Sequence, residues 1–276
     1  MKTWALVVDT WREAFARYTL LGFAAVSTLF LLILTFALNL DIVNGTLAAG
    51  SLFGRAFEMR HRTPEIETVV TSALSIFAGM LYVLGVFLSV FATGSQVPNL
   101  QHRGTVDLYL SRPIARVHLL LGRFVGAVTL VGANLLFLCG GVFLVLSLKT
   151  RVWNPRFLVA AALILVVFLS YLGFMYLIGV LTSSTPLSIM LPYALYVLSL
   201  PLAAHDRIAA AMDSRLGAGA IHALYWILPK TPEIGRDLTG FVLGKLAPSA
   251  LPIVTTGAFG AVCLAAALVL FSRKNF

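Results

Sequence analysis

Apolar residues run with little interruption for about 20 positions at a time at 20–38, 69–92, 119–148, 157–181, 187–204 and 251–271, and roughly 20 such residues are what a helix needs to cross a bilayer. The pattern predicts an all-α integral membrane protein, a single transmembrane domain over 1–276 with six transmembrane helices. The third run is long enough to tilt or to stand proud of the bilayer. The fifth is short and contains Pro192 and Pro201, which predicts a kink or partial surface exposure.

Ahead of the first run, Trp4, Val7, Val8, Trp11, Phe15 and Tyr18 recur at helical spacing, with Asp9, Arg12, Glu13 and Arg17 on other faces. This predicts an amphipathic helix over 1–19 lying in the membrane interface, its two tryptophans at the headgroup level. A plain extension of the first span would place those charges in lipid. Nineteen residues precede that span and no small-residue cleavage site follows it, so a signal peptide is not expected. In the loop at 39–68, residues 47–57 read as a short surface helix. In the loop at 205–249, residues 218–228 are apolar, too few to span, and end at Pro229, which suits a re-entrant or interfacial helix.

Composition narrows the function classes. With 59% hydrophobic and 11% charged residues and a mean hydropathy of +0.94, the chain cannot bury its apolar surface in a water-soluble core. The net charge of +9 is spread over all the loops with no basic face, so membrane lipids and not nucleic acid are its expected counter-charges. Nine of the twenty Lys and Arg residues fall on the side of the termini, and this distribution leaves the orientation open. Cys139 and Cys263 lie in apolar runs and read as small hydrophobes. No Asp, Glu, Lys or His falls inside an apolar core, so no proton relay, haem pair or catalytic set is visible at membrane depth. His61, His102, His118, His205 and His222 sit in loops or at their edges and read as solvated side chains. Thr129, Asn134, Ser170 and Tyr171 read as groups that hold helices together. The small-residue steps Gly122 to Gly126 and Gly257 to Ala261 allow close helix contact, within one chain or between two. No Gly-x-x-x-x-Gly-Lys-Ser/Thr occurs, and no polar segment is long enough for a nucleotide-binding domain. The chain reads as neither an enzyme nor an ATPase, with no cofactor or metal of its own.

The polar segment between the second and third runs carries the most information. It reads Arg103, Gly104, Thr105, Val106, Asp107, Leu108, Tyr109, Leu110, Ser111, Arg112, Pro113, Ile114, then Arg116. Thr105 can cap a short helix, Asp107 suits its first turn, and Pro113 ends it. From the residues alone, this is either a small amphipathic helix that docks on a partner or an interfacial loop resting on headgroups.

Together with Pro98-Asn99-Leu100 before it and Leu119-Leu120-Leu121-Gly122-Arg123 after it, this segment resembles the signature of ABC-2 type transporter permeases. Those families carry a Gly-Thr, a Leu-Leu-Ser, a basic residue before Pro-Ile, another soon after, and a Leu-rich Gly-Lys at the start of the third helix. Many relatives place a glutamate just before the Gly-Thr, where this chain has Gln101, His102 and Arg103, so the ion pair of that glutamate is not carried over. Arg123 stands where a lysine is frequent. The resemblance implies a permease domain and a pair of permease subunits, a second copy or a paralogue, resting on two cytoplasmic ABC ATPase subunits that hold ATP and Mg. It also implies both termini in the cytoplasm of a prokaryotic inner membrane, short external helices ending near Leu228-Pro229, and 104–116 as the coupling helix. Transport, with export as its direction, is the implied function; a structural scaffold or, less favoured, an intramembrane enzyme is the alternative.

Overall fold

The computed structural model describes residues 2–16, 18–43, 46–52, 55–57, 66–101, 115–212 and 214–274. Helix α1 (Lys2–Ala16) leads into α2 (Thr19–Ala37), and a small sheet follows, built from β1 (Leu38–Val43), β2 (Thr46–Leu52) and β3 (Arg55–Phe57). Next come α3 (Ile66–Thr93), the short α4 (Gln96–Leu100) and α5 (Arg116–Thr150). A 3-10 turn (Pro155–Leu158) then opens α6 (Val159–Thr182), and α7 (Thr185–Leu202) returns. Helices α8 (His205–Ala210), α9 (Arg215–Ile227) and α10 (Thr231–Val242) precede the final helix α11 (Ala250–Arg273).

The apolar runs are therefore helices, each within a few residues of the limits expected. Among the described residues, five are long and apolar enough to cross a membrane, and six when α1 with α2 is counted as one bent span. These are the dimensions of a membrane-embedded helical protein. At 1.5 Å per residue α5 is about 50 Å long, well beyond a hydrocarbon core of about 30 Å. Helix α7 runs through both of its prolines, with Pro192 buried and Pro201 exposed near its end.

The expected helix at 47–57 is instead part of the sheet, which is antiparallel in the order β1-β2-β3. The β1–β2 register slips between Asp41 and Ile42. Thr and β-branched residues suit paired strands, and the glycines of this stretch oppose a helix.

Helix α1 is not an extension of α2. The two are bent by 70°, and Tyr18 between them is left-handed at φ 57°, a conformation that stops a helix. The buried side of α1 is Leu6, Val7 and Thr10, not the whole predicted stripe. Trp4 and Phe15 from that stripe remain exposed.

Helix α6 is the centre of the bundle, enclosed by α3, α5, α7 and α11. Within it 61% of the apolar stretch is buried, more than in any other span. Its closest neighbour is α11. A Cβ on Gly173 would collide with the Gly260 carbonyl oxygen, and one on Gly260 would collide with the Ser170 backbone. The contact face of α11 is Thr256, Gly260, Cys263, Ala267 and Phe271, a run of mostly small residues at helical spacing. The Gly257 to Ala261 step is offset from it: Gly257 has open space beside it and Ala261 is exposed. Thr129 and Asn134 do hold helices together: Asn134 Nδ2 donates to Ser27 Oγ of α2 at 2.9 Å, and Thr129 Oγ1 accepts from Trp11 Nε1 of α1 at 3.1 Å.

Because backbone cannot move aside as a side-chain tip can, Gly260→Val should destabilise the bundle by about 3 kcal/mol, the upper end of overpacking costs. Gly257→Val should be nearly neutral. Thermal unfolding of the detergent-solubilised chain, followed by size-exclusion chromatography, checks the pair.

Candidate partner-docking face

The start of α1, the end of α4, the start of α5, the α6–α7 turn and the end of α11 lie at the same end of the bundle, because successive spans alternate in direction. Of the predicted docking residues, Arg103 to Pro113 lie outside the described residues. Arg116 lies within them and begins α5. The stems of the connection are nevertheless in view, as Gln101 on one side and Ala115-Arg116 on the other.

Both stems are fixed to the same residue. Lys274, just beyond α11, donates from Nζ to Gln101 Oε1 at 2.5 Å, to the Val180 carbonyl at 2.8 Å and to Ser183 Oγ at 3.1 Å. Its own carbonyl accepts from Arg116 Nη1 at 2.5 Å. Gln101 donates in turn from Nε2 to the Gly179 carbonyl at 2.6 Å, and Ser183 Oγ donates to Gln101 Oε1 at 2.8 Å.

The chemistry follows from the end of α6. The last carbonyls of a helix lack partners within it and carry its negative dipole end, so a cation and amide donors are favoured there. Ser183 is left-handed at φ 51° and its N–H returns to the Gly179 carbonyl at 2.9 Å, which turns the chain out of α6 and opens the space that Lys274 and Gln101 fill. Gln101 thus serves as a neutral donor and acceptor between α4, α6 and the tail of α11.

A second contact ties α1 to α5 at this end. Leu6 sits over Gly122, where a Cβ would come within 2.6 Å of it, and Thr10 sits equally close over Gly126. The Gly122 to Gly126 step is thereby used within the chain. Between these two contacts the Arg123 guanidinium, 3% exposed, pairs with Asp9 Oδ2 at 3.2 Å and with Glu13. A buried guanidinium is tolerated only when paired and hydrogen-bonded, so the acidic residues on α1 are explained by the arginine on α5.

Sequence reasoning missed Lys274, Gln101 and Arg123 as parts of one framework. It counted Lys274 only as a loop charge and Arg123 as a loop charge and a residue of the resembled signature, without a partner for either. The available signal was Arg123 standing one turn inside an apolar run with two carboxylates on a helix elsewhere, since a charge at such depth implies a partner. At the opposite end of the bundle a cavity of about 580 Å³ is lined by Glu67, Thr71, Trp153, Asn154, Arg156 and Lys245 among others; it takes no part in this face. Compared with known protein families and with curated proteins, the sequence matches no family model and no curated relative.

Replacing both Asp9→Asn and Glu13→Gln removes two carboxylates that compensate the Arg123 charge. It should cost about 3 kcal/mol, the low end for a buried charge robbed of partners because both acids retain some solvent. The apparent melting temperature in detergent should fall accordingly, and fall less for Arg12→Gln, whose side chain is exposed.

Proposed function

We propose that this chain is the membrane-spanning permease subunit of an ATP-binding-cassette exporter of the ABC-2 type. Two permease chains, identical or paralogous, pair in the prokaryotic cytoplasmic membrane with their termini in the cytoplasm. Two separate ATPase subunits hold ATP and Mg and dock on 104–116. The sequence holds no P-loop, and on this reading hydrolysis belongs to those partners.

The observation that best supports this reading is the anchoring of both stems, Gln101 and Arg116, on Lys274. A segment that only rested on headgroups needs no such fixation. A segment that receives force from a motor needs stems that do not yield, and these lead directly to the ends of α6 and α11, the two most closely packed helices. Displacement of 104–116 is passed through Lys274 to α11, through Gln101 and Ser183 to α6, and through Arg116 to α5. The α1–α5 seam adds an amphipathic helix to the same rigid unit.

Affinity purification of the chain from native membranes should recover a soluble protein with a Walker A motif. Replacing Leu108→Ala, Tyr109→Ala and Arg112→Ala together should weaken that association at least tenfold, about 1.4 kcal/mol, with an unchanged elution profile of the permease itself. Full retention of the ATPase by the triple variant would remove 104–116 as the docking element. Recovery of no ATPase would favour a scaffold without transport activity.

A further inference from the structure

At the end of the bundle opposite the start of α1 and the end of α11, α8 and α9 bring together two histidines that the sequence presents as solvated and an aspartate. The ligand-capable atoms of His205, Asp206 and His222 all lie within 4.8 Å of one another. His205 Nε2 stands 3.2 Å from Asp206 Oδ1. This is a direct hydrogen-bonding distance, and two ligands on one tetrahedral zinc ion at about 2.0–2.2 Å are also about 3.3 Å apart, so an ion can replace the proton between them with little movement. The two imidazoles meet edge to face, with centroids 5.5 Å apart at 85°, so the second ring reaches the cluster without covering the first.

The site has a built side. The His205 ring is stacked on Tyr225, with centroids 3.6 Å apart and planes at 11°. The Tyr225 hydroxyl donates to Glu233 Oε2 at 3.3 Å. His205 Nδ1 is buried and has no hydrogen-bond partner among the described residues. With Nδ1 turned inward, Nε2 is the nitrogen that faces Asp206 and the solvent side of the cluster. The other two ligands are open: Asp206 is 81% exposed and His222 is exposed as well, so an ion can enter from solvent.

We propose that His205, Asp206 and His222 form a binding site for a divalent transition-metal ion of the zinc class, with two imidazoles and one carboxylate as protein ligands. A fourth position is left to water, as in other zinc sites with three protein ligands. Two nitrogen donors and one oxygen favour Zn²⁺, Ni²⁺ or Cu²⁺ over Mg²⁺ and Ca²⁺, which take oxygen sets. The ion has a structural consequence: α9 buries none of its residues, and a ligand from it sharing a metal with two from α8 would clamp it to the bundle. The site does not depend on the transporter reading.

The full chain, without a polyhistidine tag and reconstituted in nanodiscs, is titrated with Co²⁺ and then Zn²⁺. One Co²⁺ per chain should bind with the visible absorption of a low-coordinate ion and be displaced by Zn²⁺, while Mg²⁺ and Ca²⁺ have no effect. His222→Gln and Asp206→Asn, both at exposed positions, should each weaken Zn²⁺ binding at least about 100-fold, since even partners outside the ligand sphere cost roughly 10–100-fold. His118→Gln, at the other end of the bundle, should bind as the unaltered chain does. Absence of saturable binding overturns the proposal, as does binding that persists in the Asp206→Asn, His222→Gln double variant.

Discussion

The carbonyl oxygens at the end of a membrane helix must find donors, because an unsatisfied backbone group away from water costs several kcal/mol. At the end of α6 those donors are Lys274 and Gln101, and much of the remaining architecture follows from that requirement. To reach Val180, the tail of α11 must run alongside α6 to its end, which the backbone-close crossing at Gly173 and Gly260 permits. To reach Gly179, α4 must turn in against α6 directly after α3. Arg116 then closes the arrangement by binding the carbonyl of the same lysine. The opposite end uses a related device: Lys149, in the last turn of α5, donates to the Thr35 carbonyl near the end of α2.

The buried Arg123 works by the same logic with charge in place of backbone. Its position on α5 forces carboxylates onto α1, and the glycines on either side of it let α1 come close enough to deliver them. A lipid-facing amphipathic helix would need only an apolar stripe. Helix α1 has that stripe in the exposed Trp4 and Phe15 and also a second, protein-facing side in Leu6, Val7 and Thr10. Two opposed demands on one 15-residue helix explain why its pattern is a poor single stripe.

The spans were readable from sequence because length and apolarity alone determine them, and so were Thr129 and Asn134 as links between helices. The sheet at 38–57 was not, since its short strands alternate weakly and carry glycines that suit a surface loop of any kind. Helix faces were also out of reach: Gly257-Ala261 and Gly260 differ by one rotation step, and only the neighbour decides which is used. Polar clusters assembled from distant parts of the chain gave no local signal. Lys274 meets Gln101, and His205 meets His222, only after the bundle has formed.

On the proposed function, force applied to 104–116 reaches the far end of the bundle through Lys274, and this is open to direct measurement. Both native cysteines, Cys139 and Cys263, are buried, so a single cysteine introduced at the exposed Leu216 of α9 can report alone. In the complex with its ATPase, the alkylation rate at that position should change when ATP is added and trapped with vanadate. In the Lys274→Met complex the ATPase should still co-purify, but ATP should no longer change the rate. An ATP response in Lys274→Met equal to that of the unaltered complex would contradict the role of Lys274 as the anchor that passes on the motion.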